Sequence, residues 1–232
     1  MIGKFNTILW DVDGTLIDFE ASEDISLREC MELQDITATP EQIEAYKKIN
    51  TRWWQQLELG QVEKADLYPG RFAEWFQTMG MTGKNPVKMN LDYQEALGRN
   101  PVLFEDSVPV LKQLSALCRQ YAVTNGSVVA QENKLRISGL GKLFDDVFIS
   151  EQIGIPKPDK AYFDACAARI PDYDPARTVI IGDSLTSDMT GGNNAGIACI
   201  WFNPKGQEKP TNLRIDAEVR SLSEIPEVLK VL

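Results

Sequence analysis

The sequence contains no histidine. That absence removes serine–histidine–aspartate and cysteine–histidine catalysis, the H-E-x-x-H metalloprotease arrangement and histidine-ligated zinc. Acid–base chemistry must then fall to carboxylates, lysine, tyrosine or cysteine. Cysteine is itself sparse: Cys30, Cys118, Cys166 and Cys199 lie far apart and form no C-x-x-C pair. Such spacing fits buried, reduced thiols better than a disulfide framework or a zinc site. No apolar run approaches the ~20 residues of a membrane span. The opening stretch 1–10 is too short, and too soon followed by acids, for a signal peptide. Basic residues are outnumbered, giving a net charge of −10, and no basic stripe marks a nucleic-acid partner. An anionic small molecule remains admissible if a metal or local cations neutralise it. These absences lead to the expectation of a soluble, cytoplasmic protein that engages neither membrane nor nucleic acid.

What is present is an ordinary globular composition, 43% hydrophobic and 25% charged over 232 residues, enough to bury a core without covalent staples. Residues 5–10 form a short apolar run ending in acids and read as a buried strand. From about 20 to 98 the periodicity is helical, with helices expected over 22–33, from Pro40 to before Gly60, over 70–79 and over 87–97. From Asn100 onward the pattern alternates. Helices are expected over 108–118, 128–140, 160–169, 187–195 and 224–232, and strands over 121–124, 146–150, 178–181 and 198–202. Strands alternating with helices imply parallel pairing with helices on both faces. The expected fold is therefore α/β: a Rossmann-like parallel-sheet core from residues 1–17 and 100–232, interrupted by a helical domain over 18–99.

In open parallel sheets, ligands bind at the carboxyl ends of the strands. Four polar clusters fall at or just beyond such ends. The first is Asp11-Val12-Asp13-Gly14-Thr15, two acids in alternate positions followed by a glycine that permits a tight turn. Alone it is equally an acidic turn. A calcium loop fails, because the glycine required at the sixth position is Leu16 here. The second, Thr124-Asn125-Gly126, offers a hydroxyl and backbone N–H groups before a helix, an anion cradle or simply a turn. Lys157, held between Pro156 and Pro158, is a positioned cation or a solvated one. The fourth cluster runs from Gly182 to Asp188; Asp183 ends a strand, while Asp188 also suits a helix cap.

Taken together, in this order, DVDGTL, VTNGS, KPD and GDSLTSD resemble the four motifs of the haloacid dehalogenase superfamily of phosphohydrolases, and the helical stretch after the first motif resembles that family's cap. The resemblance implies a phosphatase. Asp11 would attack phosphorus and form an aspartyl-phosphate. Asp13 would protonate the leaving oxygen and then deprotonate water, a role that needs a proton on it at the outset, favoured by neighbouring acids and burial. It also implies Mg²⁺, a cation that prefers hard oxygen ligands. The ligands would be Asp11 and Asp183, the Asp13 backbone carbonyl and, directly or through water, Asp188. Thr124, Asn125, Gly126 and Lys157 would bind the phosphoryl oxygens. A second acid at position 13 favours phosphoryl transfer over carbon–halogen cleavage within that superfamily.

Over nearly the whole chain the sequence is similar to bacterial pyrimidine 5′-nucleotidases of the superfamily, including those acting on noncanonical nucleotides. The stretches carrying this are Gly70-Arg71-Phe72 with Trp75, the Asn50 and Trp53 region, the run Gly191 to Gly196, and Trp201-Phe202-Asn203. The implied substrate is a pyrimidine nucleoside monophosphate; phosphoglycolate, a sugar phosphate or another small phosphometabolite is the alternative. Phe72, Trp75, Phe76 and Met79 follow the i, i+3, i+4, i+7 spacing of a core stripe. Adjacent Trp53 and Trp54 cannot share one helix face. Arg71 is the expected substrate-contacting residue of the cap, the other reading being a surface ion pair.

Overall fold

The computed structural model describes residues 2–232. Strand β1 (Thr7–Trp10) is buried along its whole length and leads directly into Asp11. Four helices follow: α1 (Phe19–Leu33), α2 (Pro40–Glu58), α3 (Lys64–Thr78) and α4 (Pro86–Arg99). The chain then alternates through α5 (Ser107–Ser115), β2 (Arg119–Thr124), α6 (Val128–Ser138), β3 (Asp146–Ile149), α7 (Ser150–Ile153), α8 (Lys160–Ala167) and β4 (Thr178–Gly182). After one wide turn of π-type helix (Leu185–Met189) come α9 (Thr190–Ala195), β5 (Ala198–Phe202), β6 (Ala217–Val219) and α10 (Ile225–Val231).

The six strands form one sheet in the order β3-β2-β1-β4-β5-β6, parallel throughout. Period-two alternation divides the apolar strand residues between two cores. Ile8, Trp10, Ala122 and Ile181 pack with α5, α6 and α10 on one face; Leu9, Val123, Ile180 and Cys199 pack with α8 and its surroundings on the other. Register places Trp10 beside Ala122 and Ile181, so the carboxyl ends of β2, β1 and β4 lie side by side. All four cysteines are buried free thiols.

The helices α1–α4 share a separate core of Leu27, Cys30, Tyr46, Phe72, Trp75, Met89 and Tyr93. The expected stripe lies in it: Phe72, Trp75 and Phe76 are buried and Met79 packs at its edge. Helix α2 starts as its sequence suggests. Pro40 stands in the first turn and Thr39 forms a capping box with Gln42. Helix α3 departs from expectation. It begins at Lys64 and runs through Pro69 and Gly70, where the sequence suggested a start at 70. Gly70 is no break. A Cβ there would lie 2.5 Å from the Trp53 ring, so the glycine admits the close approach of α2. Strand β6, three residues long, was not expected at all.

Candidate active site

The turn after β1 is fixed by its glycine. Gly14 has φ +90°, and a Cβ on it would stand 2.4 Å from Asp183 Oδ2. Only a glycine lets the two acidic loops meet. Thr15, fully buried behind them, reaches Asp11 Oδ2 at 3.1 Å and Asp183 Oδ1 at 3.3 Å through one hydroxyl.

Lys157 lies at the centre. Its side chain is 1% exposed, and its ammonium donates to Asp11 Oδ1 at 2.7 Å, Asp188 Oδ1 at 2.6 Å and the Val123 carbonyl at 2.9 Å. All three of its donors are therefore used. Burial works against its charge, but Asp11 and Asp188 outweigh that and hold it well above the ordinary lysine value. Asn125 sets the backbone of Lys157 in place: its Oδ1 accepts from the Lys157 N–H and its Nδ2 donates to the Lys157 carbonyl, each at 2.9 Å. The hydroxyl of Thr124, buried at the end of β2, accepts from Gly126 N at 3.1 Å. Asp188 also accepts from Ser184 N at 3.1 Å through its second oxygen.

Carboxylate oxygens of Asp11, Asp183 and Asp188 lie within 4.8 Å of one another. One lysine cannot balance three such acids. Burial, then the charge of Asp188, push Asp11 up to about 7 despite Lys157. Loss of hydration raises Asp183 well above the carboxylate range, reinforced by Asp11 and Asp188, and burial raises Asp188. A cluster of hard oxygen donors with surplus negative charge fits a small divalent cation such as Mg²⁺. Asp13 does not have the surroundings expected for it. It is only partly buried, and its carboxylate turns to α6, where Lys134 and Gln131 each donate to it.

These residues line one cavity of about 480 Å³. Asp11, Asp13, Thr124, Asn125, Gly126, Lys157, Asp183 and Asp188 are all on its wall. The opposite wall comes from Phe19 of α1 and from Asn50, Thr51, Trp54, Gln55 and Glu58 of α2. The tryptophan pair divides as the helix requires. Trp53 packs on Gly70 and donates to Glu74 Oε2 at 3.0 Å, while Trp54 faces the cavity. Two side chains flanking the α2–α3 turn contact loops of the site: Glu58, ending α2, accepts from Thr186, and Lys64, starting α3, donates to Ser150 Oγ at 2.9 Å and to the Gly126 carbonyl at 3.3 Å.

Arg71 is not among the lining residues, and it is not a surface ion pair either. At 1% exposure it lies inside the helical insert, donating to Asn50 Oδ1 at 2.7 Å and Asn90 Oδ1 at 2.9 Å, over the rings of Phe72 and Tyr93. It packs on the same side of α3 as the aromatic stripe, which spacing alone did not disclose. Sequence reasoning also missed Thr15, Gln131 and Lys134. On helix α6 the structure exposes apolar Val129 and Ile137 and buries Gln131 and Lys134, the reverse of an ordinary amphipathic helix, so periodicity pointed away from them.

Residues 5–196 match the family model described as haloacid dehalogenase-like hydrolase. The chain is 34% identical over 230 residues to the pyrimidine 5′-nucleotidase PynA of Streptococcus pneumoniae, covering 99% of this chain and 96% of that one. It is 29% identical to the pyrimidine 5′-nucleotidase YjjG of Escherichia coli, covering 97% and 98%. Among solved structures, the magnesium-bound HAD-hydrolase YfnB of Bacillus subtilis superposes with a TM-score of 0.92 at 34% identity, over 97% of this chain and 98% of that one. The carboxylate cluster, its buried lysine and these likenesses lead to one assignment: the chain belongs to the haloacid dehalogenase-like hydrolases.

Proposed function

We propose that this protein is a Mg²⁺-dependent phosphatase that works through an aspartyl-phosphate and releases phosphate from pyrimidine nucleoside monophosphates. The observation that carries the chemistry is the single ammonium of Lys157 shared by Asp11 and Asp188 at the edge of a cavity. An oxygen of Asp11 attacks phosphorus, and the bond to the leaving oxygen breaks as Asp13 gives that oxygen a proton. Asp13 then takes a proton from water, which attacks the same phosphorus and frees Asp11. Thr124, the backbone N–H groups of Asn125 and Gly126, and Lys157 hold the phosphoryl oxygens, Gly126 and Lys157 each exchanging a present acceptor for one of them. Asp11, Asp183 and the Asp13 carbonyl would hold Mg²⁺, with Asp188 supporting that set. When bound, the cation supplies positive charge against the phosphoryl oxygens and the crowded carboxylates.

Residues 18–99 serve as a cap over a catalytic core of residues 1–17 and 100–232. The cap wall of the cavity supports the substrate reading. Trp54 offers a face on which a base can stack, and Gln55 beside it carries an amide able both to donate and to accept. The names of PynA and YjjG point the same way.

Purified protein with Mg²⁺ is to be assayed against UMP, dUMP, dTMP, AMP and sugar phosphates. A preference for the pyrimidine nucleotides is expected; a preference for sugar phosphates moves the reading to another small phosphometabolite. Asp11→Asn is expected to lower turnover by roughly three orders of magnitude or more while the fold is retained. Retained turnover in that variant overturns the nucleophile assignment.

A further inference from the structure

Asp13 has neighbours that the proposed chemistry does not use. Lys134 Nζ donates to its Oδ1 at 2.5 Å and Gln131 Nε2 donates to its Oδ2 at 2.6 Å. Both donors stand on α6, three residues apart, and so on one face of the helix. Both are removed from solvent, Lys134 at 1% exposure and Gln131 at 0%. A buried ammonium is costly without a partner. Among the described residues, Asp13 is the ion-pair partner of Lys134, whose other charged-group contact is the face of Phe19 at 5.3 Å. Two long side chains are therefore held in one geometry around one carboxylate.

The path that Gln131 takes is also specific. A Cβ on Gly126 would lie 2.1 Å from Gln131 Nε2, so this glycine leaves room for the amide to pass. The start of α6 is pinned as well. Ser127 Oγ accepts from Ala130 N at 3.2 Å and donates to Gln94 of the helical insert at 2.6 Å. Asp13 is thus tied to the helix that follows the Asn125-Gly126 loop on the cavity wall.

We propose that Lys134 and Gln131 are positioning residues for Asp13. They fix the orientation of its carboxylate and leave further lone-pair sites on each oxygen for proton exchange with the substrate. This rests on the phosphatase reading but not on the identity of the nucleotide. In the first step the Asp11 oxygen–phosphorus bond forms, the phosphorus–oxygen bond to the leaving group breaks, and the Asp13 proton passes to the leaving oxygen. An alkoxide leaving group needs that proton as the bond breaks. A nitrophenolate, stable as an anion, does not. Loss of orientation at Asp13 must therefore show as a selective loss on alkyl phosphates.

The test compares kcat/KM, which reports steps up to the first irreversible phosphoryl transfer, for p-nitrophenyl phosphate and for the fastest alkyl phosphate of the substrate panel. Lys134→Met is expected to lower the alkyl phosphate value by about tenfold or more through kcat, and the aryl value by less than about threefold. Lys134→Arg, which keeps the cation, is expected to restore most of the loss. Gln131→Leu is expected to repeat the selective loss, and it carries the test if Lys134→Met does not fold. Equal losses on the two substrates, or none on either, overturn the proposal. A wild-type enzyme that hydrolyses neither ester overturns the phosphatase reading itself, a distinguishable result.

Discussion

Replacing Glu23 by glutamine is expected to flatten the pH dependence of stability around neutrality. Glu23 is 4% exposed inside the helical insert, where one oxygen accepts from Asn50 at 2.8 Å and from Tyr93 at 3.0 Å. Burial pushes its pKa from 4.5 up to about 7, even though Tyr93, Arg71 and Lys47 pull the other way. Below 4.5 the carboxyl is protonated in the folded and the unfolded chain alike. Between 4.5 and about 7 the folded chain keeps a proton that the unfolded chain has lost. It then binds more protons than the unfolded chain, so stability falls as pH rises. Above about 7 both states are ionised and the slope disappears. Linkage puts roughly 2.5 kcal/mol between about pH 5 and pH 8. For a chain of this size that is about 5–10 °C in melting temperature. The assay is thermal denaturation of wild type and Glu23→Gln across that range with saturating Mg²⁺, so that the carboxylates of the cavity contribute equally to both. The wild type should lose about that much more stability than the variant on going to the alkaline end. Parallel curves would refute the claim that Glu23 is buried with a raised pKa.

Two further outcomes follow from the cavity. Gly14→Ala forces a side chain into a left-handed position and toward Asp183 Oδ2, so activity is expected to fall about a hundredfold or more, with about 1–3 kcal/mol lost from stability; wild-type kcat in a folded variant contradicts the packing argument. Mg²⁺ is expected to raise the melting temperature more near pH 8 than near pH 5, because the raised carboxylates must lose protons to act as ligands. An equal shift at both pH values, measured by calorimetry, counts against Asp11, Asp183 and Asp188 as the metal set.

The alternation of strands and helices was legible because each of the strands β1 to β5 contains a short run of apolar residues. That Asp11, Thr124 and Asp183 would meet was legible for the same reason: they follow or end such runs, and parallel pairing aligns those ends. Strand β6 was not legible, since three residues with exposed Glu218 among them carry no period. The start of α3 was hidden by Pro69 and Gly70, which read as punctuation, whereas Gly70 answers to the Trp53 ring. Arg71 was misplaced because its partners, Asn50 and Asn90, come from two other helices.

The helical insert shapes the site through its ends more than through its interior. Arg71, Glu23 and Asn90 form a buried polar network, and of the side chains joined in it Asn50 reaches the cavity. Two of the contacts that cross to the sheet edge come from the residues flanking the turn between α2 and α3. Glu58 engages Thr186, in the loop that also carries Asp183 and Asp188; Lys64 engages the Gly126 carbonyl, in the loop that carries Thr124 and Asn125. Burial lowers Lys64 to about 8 and raises Glu58, although both side chains stay partly exposed. A chain with a net charge of −10 has no general attraction for an anion. Its attraction must be local, and local fields strengthen as water leaves. Glu58 and Lys64, one on each side of that turn, each hold one of the loops that line the cavity beside Lys157. Both side chains lie outside all four sequence motifs.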